Sequence, residues 1–173
     1  NTFGEVPKRK YKVPLGKANI IKSGKDLTIV SHSYMSIEAL KAAMIMKEHG
    51  IDSEVIDLRS LRPLDTKTII KSVKKTKRLL VVDNGWTRFG VSAEIISSVT
   101  ERIFDELICS PSRIGIEDVP IPSTRALAVH SYPTPSKIVK AAGKLLGLEI
   151  KLSKEQKKSD PLDQPDQNFT GPF

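Results

Sequence analysis

Arg78-Leu79-Leu80-Val81-Val82-Asp83 is the stretch that decides the fold. An uninterrupted aliphatic run stands between two charged residues. A strand with one wet face alternates apolar and polar side chains, whereas a strand covered on both faces is apolar throughout. This run is of the second kind, and it is short enough for a strand rather than a helix. Leu27-Thr28-Ile29-Val30, Val55-Ile56-Asp57-Leu58 and Arg113-Ile114-Gly115-Ile116 are further runs of the same sort.

Helical spacing fills the intervals between them. Ile37, Leu40, Ala43 and Met44 follow a candidate N-cap at Ser36, and Gly50 after His49 is a natural terminating glycine. Asp65 caps a second helix with Ile69, Ile70 and Val73 on one side and lysines on the other. Val91, Ile95, Ile96, Val99 and Ile103 mark a third helix. Pro135-Ser136 opens a last one, carrying Ile138, Val139, Ala142, Leu145 and Leu146. Alternating strands and helices predict an α/β domain, a three-layer, doubly wound and mostly parallel sheet. It is expected to occupy residues 16–150, with a linker or extended arm over 1–15 and a polar tail over 151–173. Phe169 and Phe173 are the tail's candidate docking residues.

The chain has 173 residues, 39% hydrophobic and 28% charged, ordinary values for a globular domain. It opens at Asn1 rather than methionine, and is expected to be a piece of a longer chain. No apolar run approaches the ~20 residues of a membrane span. One cysteine, Cys109, cannot form an internal disulfide, and a small half-buried hydrophobe is its expected role. The formal charge of +8 lies largely in Lys8-Arg9-Lys10, in Lys67 to Arg78, and in Lys151, Lys154, Lys157 and Lys158. Few aromatics accompany these runs and no nucleic-acid-binding motif appears, so solvated faces are expected and a nucleic-acid partner is not.

In open α/β sheets, ligands gather beyond the carboxyl ends of the strands. The segment after the first run, Ser31-His32-Ser33-Tyr34-Met35-Ser36, has no glycine, and a dinucleotide fingerprint needs several. His32 reads as a hydrogen-bonded structural residue, with general base as the sharper alternative. His49 reads as a helix-end residue. No histidines share a ligand spacing, so no metal site is expected. Asp83, Glu94, Glu117 and Asp118 read as caps or loop braces. Trp86 and Phe89 cluster in a glycine-flanked loop, as either a core plug or an interface anchor. No catalytic residue, cofactor-binding residue or metal ligand is assigned.

Longer motifs then resemble a known family. Pro14-Leu15-Gly16-Lys17-Ala18 with Ile29-Val30-Ser31-His32-Ser33 resembles the entry to the transketolase C-terminal-like domain of thiamine-diphosphate-dependent 2-oxo acid dehydrogenase beta subunits. Val55 to Asp65, Gly85-Trp86 with Phe89-Gly90-Val91 and Ala93-Glu94-Ile95, and Asp118-Val119-Pro120 with Pro122 are similar to its later motifs. The pattern is closest to the pyruvate-acting members. The resemblance implies that thiamine diphosphate and magnesium lie between an alpha subunit and the N-terminal domain of a beta subunit, and none on this domain. It implies contact with a second beta subunit and with a lipoyl acyltransferase. Trp86, Arg88, Phe89, Glu94, His32 and Asp118 are the expected interface residues. A bacterial cytoplasm is the expected location, with the mitochondrial matrix as alternative.

Three segments depart from the pattern usual in the pyruvate-acting members. Thr87-Arg88 replaces proline-glutamine, Ser123 replaces tyrosine, and Cys109-Ser110-Pro111 replaces aspartate-alanine-proline near the acyltransferase dock. A transketolase or deoxyxylulose-phosphate synthase domain, acting on sugars, is a second reading. A stand-alone protein-interaction module is a third.

Overall fold

The computed structural model describes residue 8, residues 10–124 and residues 130–156. Arg9, most of the expected arm, and the tail beyond Gln156 with Phe169 and Phe173 lie outside the described residues.

Five strands form one sheet: β1 (Asn19–Lys22), β2 (Leu27–Ser31), β3 (Ser53–Asp57), β4 (Leu79–Trp86) and β5 (Ser112–Ile116), in the spatial order β1-β3-β2-β4-β5. β1 runs antiparallel to β3 at the edge, and the other neighbours are parallel. Four helices lie wholly within the described residues: α1 (Tyr34–Glu48), α2 (Thr66–Thr76), α3 (Val91–Ile103) and α4 (Pro135–Leu146). A 3-10 turn follows α3 at Phe104–Glu106.

Strand side chains alternate between two cores, and this makes three layers. Leu27, Ile29, Val55, Leu80 and Val82 pack on one face with Met35, Ala39 and Ala43 of α1 and Ile138, Val139 and Ala142 of α4. Val30, Ile56, Leu79 and Val81 pack on the other with Ile69 and Val73 of α2 and Ile95, Val99 and Ile103 of α3. The apolar runs are continuous because both faces of the strands are covered. Thr28 of β2 is one of the buried polar residues of the strands, with Ser31, Ser53, Glu54 and Asp83. Its hydroxyl meets Ser72 Oγ and Thr76 Oγ1 of α2, each at 2.7 Å.

Asp65 caps α2 as expected: its carboxylate accepts from Thr68 N at 3.2 Å and also ties down Ala18 N at 3.0 Å. Gly50, at φ 77°, closes α1 in the left-handed region that a glycine enters without strain. The Ser36 cap is corrected. α1 begins at Tyr34 with Ser33 at the cap position, and no side chain caps it. Ser36 lies inside the helix, and its hydroxyl donates to Asp57 Oδ1 of β3 at 3.0 Å. Over its described part, Lys151 to Gln156, the tail packs: Leu152 joins the α1–α4 core, and Gln156 Nε2 donates to Glu48 Oε2 at 2.7 Å.

Candidate functional site

The strand order reverses between β2 and β4. The chain leaves β2 toward β3 on one side, then crosses back to β4 on the other. Such a reversal opens a crevice at the carboxyl ends of the two strands. Here His32 and Asp83 close it. They follow Ser31 and Val82, which are paired in the parallel register. His32 Nε2 lies 3.1 Å from Asp83 Oδ1. A carboxylate only accepts, so this ring nitrogen carries the proton.

Asp83 also receives Gly85 N on Oδ1 at 2.8 Å and Ser92 N on Oδ2 at 3.2 Å. Burial opposes its charge, but the hydrogen bonds from His32, Gly85 and Ser92 outweigh that and hold the carboxyl below the ordinary aspartate range. Three donors, from the residue after β2, from β4 and from the start of α3, thus meet on one carboxylate. Ser92 Oγ is buried and finds no hydrogen-bond partner among the described residues.

Around this clamp β4 is irregular. Val82 pairs with Ile114 and Trp86 with Ile116, so β4 carries two more residues than β5 across the interval. The sequence places a loop after Asp83, but Asn84 to Trp86 continue the strand through this bulge. Bulges bend a strand and re-aim its side chains. Two glycines permit the close approach. A Cβ at Gly90 would sit 2.2 Å from Trp86 O, and one at Gly115 would sit 2.7 Å from Gly85 O.

The bulge carries the aromatic pair outward. Trp86 is 56% exposed and Phe89 102%, so neither is a core plug. Phe89 also holds φ at 55°, a left-handed conformation that costs a bulky residue ~1–3 kcal/mol. A strained backbone presenting a fully exposed aromatic ring has no packing role within this domain. Tyr34, Leu61, Val119 and Ile121, each just beyond a parallel strand, are exposed as well. The carboxyl end of the sheet therefore exposes apolar side chains from four successive connections, among charged ones such as Arg88 and Asp118.

The other expected site residues sit at this end with weaker ties. Arg88 Nη1 and Asp118 Oδ2 are 3.9 Å apart and both exposed, a pair worth ~0–1 kcal/mol. Glu94, exposed in the first turn of α3, accepts from Ser98 Oγ at 3.0 Å. His32 lies mostly below the surface, where its ring is bonded to Asp83. Sequence reading missed the clamp's amide donors and the buried Ser92. Asp83-Asn84-Gly85 at a strand end was the available signal.

Asp83, the carboxylate at the reversal, is already occupied by three donors and is not free to hold a divalent metal. Among the described residues no group of three or more His, Cys, Asp or Glu is placed to hold a metal.

The family model for the transketolase C-terminal domain matches residues 16–138. The chain belongs to this family. It is 43% identical over 146 residues to the pyruvate dehydrogenase E1 component subunit beta of Drosophila melanogaster, covering 84% of this chain and 40% of that protein. It is 47% identical over 137 residues to the Chaetomium thermophilum subunit, covering 79% and 36%. It is 42% identical over 141 residues to the Rickettsia conorii subunit, covering 82% and 43%. The chain thus spans about two fifths of these relatives. Among solved structures, a split gene transketolase, described as an inactive beta4 tetramer, is similar with a TM-score of 0.67 and 30% identity, over 80% of this chain and 45% of that one. The transketolase C-terminal domain fold expected from the sequence is the fold observed.

Proposed function

We propose that this chain is the C-terminal domain of the beta subunit of a pyruvate dehydrogenase E1 component, and that its carboxyl-end face is a subunit contact. The observation that carries the contact is the strained, fully exposed Phe89 beside exposed Trp86 on a bulge clamped by Asp83. Exposed aromatics on a rigid support are what interface anchors consist of. The relatives named as pyruvate dehydrogenase beta subunits, at 42–47% identity, support the choice of enzyme.

In this reading the whole enzyme oxidatively decarboxylates pyruvate and passes the acyl group to a lipoyl acyltransferase. Thiamine diphosphate and magnesium are held by the alpha subunit and the N-terminal beta domain. This domain contributes assembly, through a second beta subunit, and a docking surface. Cys109-Ser110-Pro111, beside exposed Ile108 in the approach to β5, takes the place of the family's acidic dock position. A bacterial cytoplasm or a mitochondrial matrix would suit the enzyme equally.

The similarity to a split gene transketolase keeps a sugar-transferring enzyme as the second reading. A dye-reduction assay separates the two. The whole beta chain, purified with its alpha partner and given thiamine diphosphate and magnesium, should turn over pyruvate faster than other 2-oxo acids. Turnover of a ketose phosphate, with none of pyruvate, would establish the second reading.

A further inference from the structure

At the other face of the domain, α4 and the segment that leaves it enclose a groove of about 860 Å³. Lys137, Lys140 and Lys144 line it from α4, and Lys151 lines it from the returning segment. Residues three and four apart share a helix face, so the three α4 ammonium groups stand in a row. Lys137 is engaged, donating to the carbonyls of His130 and Tyr132. Lys140, Lys144 and Lys151 make no hydrogen bond or ion pair among the described residues. Glu149 is the groove's one acid. Leu148 and Leu152 supply apolar walls. Like charges at this spacing repel, so the row is unfavourable until an anion lies along it.

The sequence holds a complement. Asp160, Asp163 and Asp166 fall in a segment, Asp160–Phe173, that has no lysine or arginine and carries Leu162, Phe169 and Phe173. It follows closely on the groove in the chain. Eight residue steps lead from Leu152 to Asp160. Even fully extended they span at most ~29 Å. A short tether gives an effective concentration of order mM, enough to fill a weak site.

We propose that Asp160–Phe173 of this chain occupies the lysine groove of α4. Its aspartates meet Lys140, Lys144 and Lys151, and its apolar side chains cover Leu148 and Leu152. Occupied in this way, the groove is closed to acidic segments of other proteins. The proposal does not depend on which reaction the whole enzyme performs.

The test uses the 173-residue chain with Cys109→Ser and a nitroxide label on Gln167→Cys. Amide resonances of Lys140, Lys144 and Leu148 should lose most of their intensity, while those of α2, on the opposite face of the sheet, keep theirs. Intensity should return at about 1 M salt, where the screening length is about 3 Å, and in the D160N/D163N/D166N variant. Groove amides no more broadened than those of α2 would overturn the proposal. So would broadening that ignores both salt and the triple variant. An unbroadened groove whose amides shift when an oligoglutamate peptide is added would assign the site to a partner protein, and would also overturn it.

Discussion

His32 and Asp83 lie 51 residues apart in sequence and 3.1 Å apart in space, joining the carboxyl ends of β2 and β4 where the strand order reverses. In many open α/β sheets that reversal is a ligand crevice. Here the carboxylate that could serve a ligand is consumed in fixing the Gly85–Gly90 segment. Asp83 instead ties β2, β4 and the start of α3 together.

Replacing that carboxylate should loosen this tie. Asp83→Asn leaves fewer acceptors for His32, Gly85 N and Ser92 N, and should cost ~1–3 kcal/mol in urea unfolding. Ser92→Ala, by contrast, removes a hydroxyl without a partner and keeps the backbone donor. It should be neutral or stabilising, and a loss comparable with that of Asp83→Asn would contradict this assignment.

Acid should act on the same bond. The folded carboxyl of Asp83 lies below its ordinary range, while in the unfolded chain it returns to about 3.9. A depressed folded pKa stabilises the fold above the unfolded value, and that contribution is lost as pH falls through the folded one. The stability gap between the native chain and Asp83→Asn should therefore shrink as the pH falls below about 4. Asp52, Glu54 and Asp65, also lowered, cancel in this difference.

How much of this was legible in the sequence differs from residue to residue. β2 and β4 read directly because burial on both faces writes itself as an apolar run, β3 only from Val55 onward because its first residues, Ser53 and Glu54, are polar and buried, and Asp65 because its cap signal is local. The start of α1 misled, since Ser36 looks like a cap but serves Asp57 across the layer. The clamp was hidden for a different reason. Its partners meet only because β4 returns beside β2, and strand order is not written in either strand. Trp86 and Phe89 were visible as a pair, but whether they point in or out depends on the bulge, which Gly85, Gly90 and Gly115 make possible.

Thr28 tests the buried hydroxyl cluster. Thr28→Val leaves Ser72 Oγ and Thr76 Oγ1 with one partner fewer, and should cost ~1–3 kcal/mol. The triple change T28V/S72A/T76V removes the whole set and should recover part of that loss. Additive losses in denaturant unfolding would show that the three hydroxyls do not act together.

Phe89 should show a conflict between stability and assembly. Phe89→Gly relieves the left-handed backbone and removes no packing within the domain. It should raise the stability of the chain by ~1 kcal/mol in chemical denaturation, after the extra flexibility of glycine is offset. The same change should weaken assembly of the whole enzyme. A loss of stability would mean that the ring packs within this chain.

Sedimentation of the whole enzyme, combined with its rate, tests the central claim most directly. W86A/F89A is placed in the full beta chain, and assembly and pyruvate turnover are followed over a dilution series. The account predicts dissociation at concentrations where the native enzyme stays assembled, because losing buried aromatic anchors costs ~2 kcal/mol or more each. It also predicts unchanged turnover per assembled enzyme. An assembly that survives dilution while its turnover collapses would contradict the account, and would place this face at the chemistry rather than at the contact.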